Sequence, residues 1–248
     1  MFESRQKKAE STEVSYWISY TDILAALLII ILLITVYVVY RLENTRYTVV
    51  ENIGTLNQAE KIRKEMLQRI QEKLKLSEID VEIADNHSVL RIPHSELTFQ
   101  TNNFRIPINM RKNLDKIGQT VLEELNSNNQ SEYFETIFIE GHTDNRPSNL
   151  LKGNLGLSTF RAISVWEHWT DRVSDDYQNL RNKEGERLFS VSGYGETRPT
   201  QKIQRTAEQL RKNRRIDLRF TIHKPESFEY NQIIDLFDYD ENSNSNEQ

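Results

Sequence analysis

The chain has 248 residues, a net charge of −5 and no cysteine. The missing cysteine excludes disulfides, thiolate catalysis and thiolate metal sites, and the acidic balance offers no basic surface for nucleic acid. Setting aside one apolar segment leaves roughly 200 residues, enough for one compact domain with connecting pieces.

Residues 1–15 are a polar tail of mixed charge. Tyr16–Tyr40 follows, with no charged residue from Ile23 to Val39. As a helix this stretch is ~37 Å long, and its uncharged part ~25 Å, which suits a bilayer core of ~30 Å. Tyr16 and Trp17 at one end and Tyr37 and Tyr40 at the other form the aromatic belts of a span. The run is longer than a signal-peptide core and ends in YVVYRLEN without small residues, so it predicts an uncleaved single-pass anchor. Arg5, Lys7 and Lys8 before it against Arg41 and Arg46 after it give a small positive-inside excess at the N-terminal side.

Asp22 breaks this pattern at the start of the apolar run. A carboxylate in a span costs on the order of a few kcal/mol and marks a functional site by default. Ala25 and Ala26, one turn away, let another helix come close, and Ser19 and Thr21 flank the acid with hydroxyls. The plainer alternative is an interfacial acid that snorkels to the headgroups of the membrane lipids.

Residues 41–76 place Val49, Val50, Ile53, Leu56, Ala59, Ile62, Met66, Ile70 and Leu74 at helical spacing among charged residues, which predicts an amphipathic linker helix. Its apolar stripe suits either a helix–helix seam in a homodimer or docking on the chain's own domain. From Ile79 the period becomes two, with a turn at ADNHS and a second strand at Val89–Ile92. A helix capped by Asn109 follows over Met110–Leu125, then a loop at 126–132 and a strand at Thr136–Glu140. The pattern next predicts a helix over Leu157–Thr170, a charged helix extension and surface loop at 171–187, a strand at Leu188–Ser192, a helix at Thr206–Lys212 and a strand at Arg215–Ile222. This order, β-β-α-β-α-β-α-β over residues 77–223, predicts an α+β domain with helices layered on a mixed sheet. Residues 224–248 are acidic and rich in Asn and Ser, a composition that predicts disorder.

Four segments stand out: IEGHTDN (139–145), LSTFRA (157–162), GYGETRP (193–199) and RKNRRIDLRF (211–220). An aspartate and arginines converging from loops at one sheet end suit a zwitterion: Asp144 accepts an ammonium and Arg161 clamps a carboxylate. A mutual salt bridge between Asp144 and Arg161 is the structural alternative. His142 reads as a structural residue that hydrogen-bonds its loop, and no metal ligands accompany it at suitable spacing. No nucleophile–base pair and no phosphate loop are present, so the sequence makes no case for an enzyme and implies no cofactor.

These segments, with Leu97–Thr98–Phe99, resemble the OmpA-like peptidoglycan-binding domain over about residues 79–222. The resemblance implies that Asp144 and Arg161 hold the diaminopimelate of a peptidoglycan stem peptide, with Thr143 and Ser158 in the same segments and Asn213, Arg214 and Arg215 lining or bracing the pocket. A short tail, one span carrying Tyr20–Leu24 (YTDIL), a linker helix and an OmpA-like domain together resemble MotB-type subunits of proton-driven stators, and among these the ZorB type of the Zorya anti-phage system. The resemblance implies a homodimer within a ring of MotA- or ZorA-like multi-span subunits in the bacterial inner membrane, with a cytoplasmic N-terminus and a periplasmic domain. It places ion transfer on Asp22 with Thr21 beside it, since a carboxyl withdrawn from water exchanges protons nearer neutral pH. Protons are favoured over sodium, for which Thr21 is the one extra oxygen ligand. A flagellar-type stator and a non-conducting tether to peptidoglycan are the alternatives.

Overall fold

In the computed structural model, the structure describes residues 3–223. The acidic segment 224–248 lies outside them. The chain divides into two compact units, Met1–Gly54 and Thr55–Gln248.

Helix α1 spans Glu3–Leu76, and Gly54 is one of its residues. It contains the one helix segment among the described residues that is long and apolar enough to cross a membrane. The side chains from Ile23 to Val39 are exposed on it.

The second unit begins with the end of this same helix. Of the two roles open for the stripe at 41–76, the structure places its distal half in a core. Ala59, Met66, Leu67, Ile70 and Leu74 are buried, the last four at 0% exposure. Polar contacts fasten the segment from the sides. Arg69 Nε and Lys73 Nζ reach the buried Glu124 carboxylate at 2.9 and 2.7 Å, and Gln71 Nε2 donates to the Val81 carbonyl at 2.7 Å. Burial alone would raise the Glu124 carboxyl, but Lys73 and Arg69 hold it below the ordinary range.

Five strands form one mixed sheet in the order β1-β2-β5-β3-β4. They are β1 Glu82–Ala84, β2 Val89–Ile92, β3 Phe134–His142, β4 Phe189–Gly193 and β5 Arg215–Ile222. Only β3 and β4 run parallel, joined across helix α3 (Gly153–Arg172). Alternation sorts the central strands: Ile216, Leu218 and Phe220 of β5, with Ile137 and Ile139 of β3, enter the core. The other face of these strands carries Arg215, Asp217 and Arg219 of β5 and Glu140 and His142 of β3.

Several boundaries differ from the sequence expectation for physical reasons. Helix α2 (Ile108–Asn126) is entered from Pro107, with no side-chain cap, so Asn109 lies in its first turn instead of capping it. Pro107 is extended at φ −60° and ψ 144°, a geometry the ring presets. The polar run after α2 is a 3-10 turn, Ser127–Tyr133, rather than open loop. Helix α3 starts one turn before the expected Leu157, from a left-handed Lys152 (φ 65°) that reverses the chain. Segment 171–187 is not wholly surface. Its short helix α4 (Asp176–Asn179) delivers Tyr177 into the core, stacked on Trp169 and hydrogen-bonded to the Gly118 carbonyl at 2.6 Å. Helix α5 (Ala207–Asn213) begins with a capping box between Thr206 and Gln209.

Since Ile70 is part of the domain core, Ile70→Ala should lower stability by about 2–5 kcal/mol. Urea unfolding of the wild type and the variant measures this; a loss below about 1 kcal/mol would show that the helix end only rests on the surface.

Candidate functional site

The β3–β5 pairing builds the site. His142 and Arg215 are register partners at the end of β3 and the start of β5. The residues just beyond them, Thr143–Asp144 and Arg214, therefore meet above one end of the sheet. Helix α3 comes in tightly against the same end. A Cβ on Gly141 would run into the Ser158 carbonyl, and one on Gly193 into Thr159. Glycine at both places lets the helix start sit directly on the strand ends.

A cavity of about 570 Å³ opens there, lined by His94, Phe99, Thr143, Asp144, Arg146 and Arg161, with Arg214 and neighbouring loop residues completing the wall. Asp144 is 4% exposed. Its carboxylate accepts from Arg214 Nη1 at 2.6 Å and Arg146 Nη2 at 2.8 Å. Burial would raise this carboxyl, yet the bonds from Arg146 and Arg214 outweigh it and keep it below the usual carboxylate range. Arg161 does not pair with Asp144. Its Nε and Nη2 donate to the carbonyls of Asn103 and Gln100 at 3.0 and 3.1 Å, and its guanidinium lies over the Phe99 ring at 5.0 Å. Burial, then the nearby Arg214, brings the Arg161 pKa down to about 10, where the group is still a cation at neutral pH.

The structure separates the sequence-selected residues into two sets. Asp144, Arg161, Thr143 and Arg214 line the cavity. Ser158, Asn213 and Arg215 do not. Ser158 Oγ accepts from Gly195 N at 2.9 Å and donates to the Leu155 carbonyl at 2.8 Å, tying α3 to the second glycine loop. Asn213 holds Gln201 from both sides, through N–H to Oδ1 at 2.9 Å and Nδ2 to the carbonyl at 2.8 Å. Arg215 is buried under the sheet, with Nε on Asp217 Oδ2 at 2.9 Å. Asp22 and Thr21 lie in the other unit, exposed on α1, where Thr21 Oγ1 donates to the Trp17 carbonyl at 2.5 Å.

Three features escaped the sequence. Arg146 follows Asp144 by two residues, a spacing at which a side chain and its own backbone N–H both reach the carboxylate. His94 comes from the loop after β2, and no pattern in the sequence marks it; its Nε2 accepts from Arg214 Nη2 at 3.1 Å. The third is a buried polar group beneath the site. His142, stacked on Tyr194 at 5.3 Å, sits 3.9 Å from Glu140 Oε2 and 3.6 Å from Asp217 Oδ2. The fold thus supplies carboxylates that spacing did not, and the three side chains group as metal ligands could. The charges argue otherwise: Arg219 bonds Glu140, and Arg91 and Arg215 bond Asp217. Each carboxylate of the group already holds a guanidinium, and a cation among them would have to compete with those charges.

Residues 98–215 match the OmpA family model. The Zorya protein ZorB of Escherichia coli O139:H28 is 28% identical over 225 residues, covering 88% of this chain and 85% of that protein. A putative MotB-like protein from Desulfovibrio vulgaris superposes with a TM-score of 0.50 at 15% identity, over 67% of this chain and 98% of that one, a likeness of fold. The periplasmic domain of Helicobacter pylori MotB gives a TM-score of 0.44 at 20% identity, over 64% and 90% of the two chains.

Burial, followed by the cations Arg214, Arg161 and Arg211, depresses His94 from 6.5 to about 4. The unfolded chain takes up this proton near 6.5, while the folded cavity refuses it until about pH 4. Folding then expels a proton between these values, so stability should fall as pH drops through that window. His94→Gln, which keeps an acceptor for Arg214, should flatten the dependence. Thermal melts of both proteins across the window test this, and parallel curves would refute it.

Proposed function

We propose that this chain, a MotB-like protein with an OmpA-family domain and similar to ZorB, is the ion-conducting, wall-anchored stator subunit of an inner-membrane motor serving anti-phage defence. The cavity carries the anchoring half of this reading: one carboxylate and two of the cavity-lining guanidiniums, brought together from separate elements, fit the ammonium and carboxylate of diaminopimelate. Asp144 takes the ammonium. Arg161, pinned through Nε and Nη2 to backbone carbonyls, presents its remaining edge to the carboxylate. Arg214 keeps Asp144 ionised and adds a second cation for the same anion. A neutral His94 leaves Arg214 its full charge and accepts a hydrogen bond from its Nη2.

The membrane half rests on Asp22, an acid at the start of the only described helix segment fit to span a bilayer. An acid in a span asks for partners, and multi-span ring subunits around two copies of this helix supply them. Protons pass by way of the Asp22 carboxyl; Thr21, whose hydroxyl is given to its own helix, steadies the turn beside it. The domain then stands on the periplasmic side, holding the pair to the wall.

Two substitutions separate the halves in cells that carry the multi-span partner. Asp22→Asn should abolish proton flux and phage protection while leaving the protein bound to sedimented peptidoglycan. Arg161→Ala should weaken that binding at least about tenfold, because it removes the charge of a buried pair. Full protection by Asp22→Asn would reduce the protein to a passive tether. Undiminished wall binding by Arg161→Ala would remove the cavity from the anchor. Flux that follows sodium instead of pH would reassign the ion.

A further inference from the structure

Asp144 has no free face in this structure. Its Oδ1 accepts from the backbone N–H of Arg146 at 3.1 Å and from Arg146 Nε at 3.3 Å. Its Oδ2 accepts from Arg146 Nε at 3.2 Å, Arg146 Nη2 at 2.8 Å and Arg214 Nη1 at 2.6 Å. The two guanidiniums are held differently. The Arg214 side chain is 18% exposed and is also bonded to His94. The Arg146 side chain is 57% exposed, and among the described residues its bonds go to Asp144 alone. An ammonium that comes to Asp144 can displace only the second without dismantling the cavity wall.

We propose that Arg146 is a built-in competitor, a latch that occupies the ammonium position on Asp144 and swings into solvent when a diaminopimelate stem peptide enters. This rests on the assignment of Asp144 to the ligand ammonium. The backbone N–H of Arg146 stays on Oδ1 in either state, so the turn at 144–146 persists while the side chain leaves. The latch imposes a requirement on the ligand. With Arg146 closed, Asp144 is neutralised and the cavity shows cations only, so a carboxylate is attracted to Arg161. A carboxylate alone cannot open the latch, because nothing replaces the guanidinium on Asp144. A simple amine can compete for Asp144 but gains nothing from Arg161. A ligand bearing both charges does both. The Asp144 side chain is buried at 6% exposure while the Arg146 side chain is 57% exposed, so water and salt reach the cation that must leave.

The test uses the full chain in nanodiscs and calorimetric binding of the tripeptide L-Ala–γ-D-Glu–meso-diaminopimelate. A second peptide carries aminopimelate in the last position and so lacks the distal amine. Arg146→Gln and Arg146→Ala should each bind the first peptide about three- to tenfold tighter than the wild type, because a closed latch taxes the apparent affinity. This advantage should shrink as ionic strength rises, and it should be missing for the second peptide. Unchanged or weaker binding of the first peptide by both variants would overturn the latch; if Asp144→Asn still loses binding, the ligand assignment survives that failure. Equal binding of the two peptides by the wild type would overturn the ammonium assignment and the latch with it.

Discussion

Two buried carboxylates face each other across the middle of the sheet, and the fold closes because arginines answer them. Glu140 on β3 and Asp217 on β5 are register partners, with 0% and 1% exposure. Like charges placed directly opposite destabilise a strand pair, and burying them unpaired would cost several kcal/mol more. Arg219 pairs with Glu140 through Oε1, while Arg91 from β2 and Arg215 pair with Asp217. The network therefore spans three neighbouring strands and locks their register, because a one-residue slip would turn every one of these groups into the apolar core. The site follows from that register. Once His142 stands opposite Arg215, the next residues of the two strands must meet, and Asp144 finds Arg214.

The same pairing explains how much of this was legible in the sequence. Alternation in Ile216, Leu218, Phe220 and Ile222 located β5, and the apolar spacing of Leu114, Ile117, Val121 and Leu125 located α2, because both patterns record a buried face directly. The G-H-T-D and L-S-x-x-R-A segments led to Asp144 and Arg161, which do line one cavity. Of Arg214 and Arg215, both read from the sequence as lining or bracing the pocket, Arg214 lines it and Arg215 bonds Asp217 instead. Adjacent residues at a strand start point to opposite sides, so only one of them can face the cavity. His94 and Glu140 became visible only in three dimensions, since a loop and a strand far apart in the chain supply them. Tyr177 was hidden for another reason: a charged neighbourhood masks a single aromatic that the core requires.

The two acids on which the proposed function rests are prepared in opposite ways. Asp144 arrives saturated, with every oxygen bonded by its own chain and its carboxyl kept ionised. It suits recognition, in which a fixed charge exchanges one cation for another. Asp22 lies exposed on α1, and in the proposed assembly its surroundings come from other subunits. It suits transfer, in which the surroundings change as those subunits move. In the proposed stator, held still while its partners turn, the first kind serves at the wall and the second in the membrane.

The segment Ala59–Leu74 gives the domain an unusual handle. The chain enters through a helix whose side chains are interleaved with the core over four turns and are flanked by the Glu124 ion pairs. Tension along that helix loads all of these contacts together, in shear, instead of peeling them one at a time as it would at a strand edge. Mechanical failure would have to strip Met66, Leu67, Ile70 and Leu74 from the core in a single step. The domain is thus grafted onto its own tether, and a pull on the tether meets the resistance of the whole core at once.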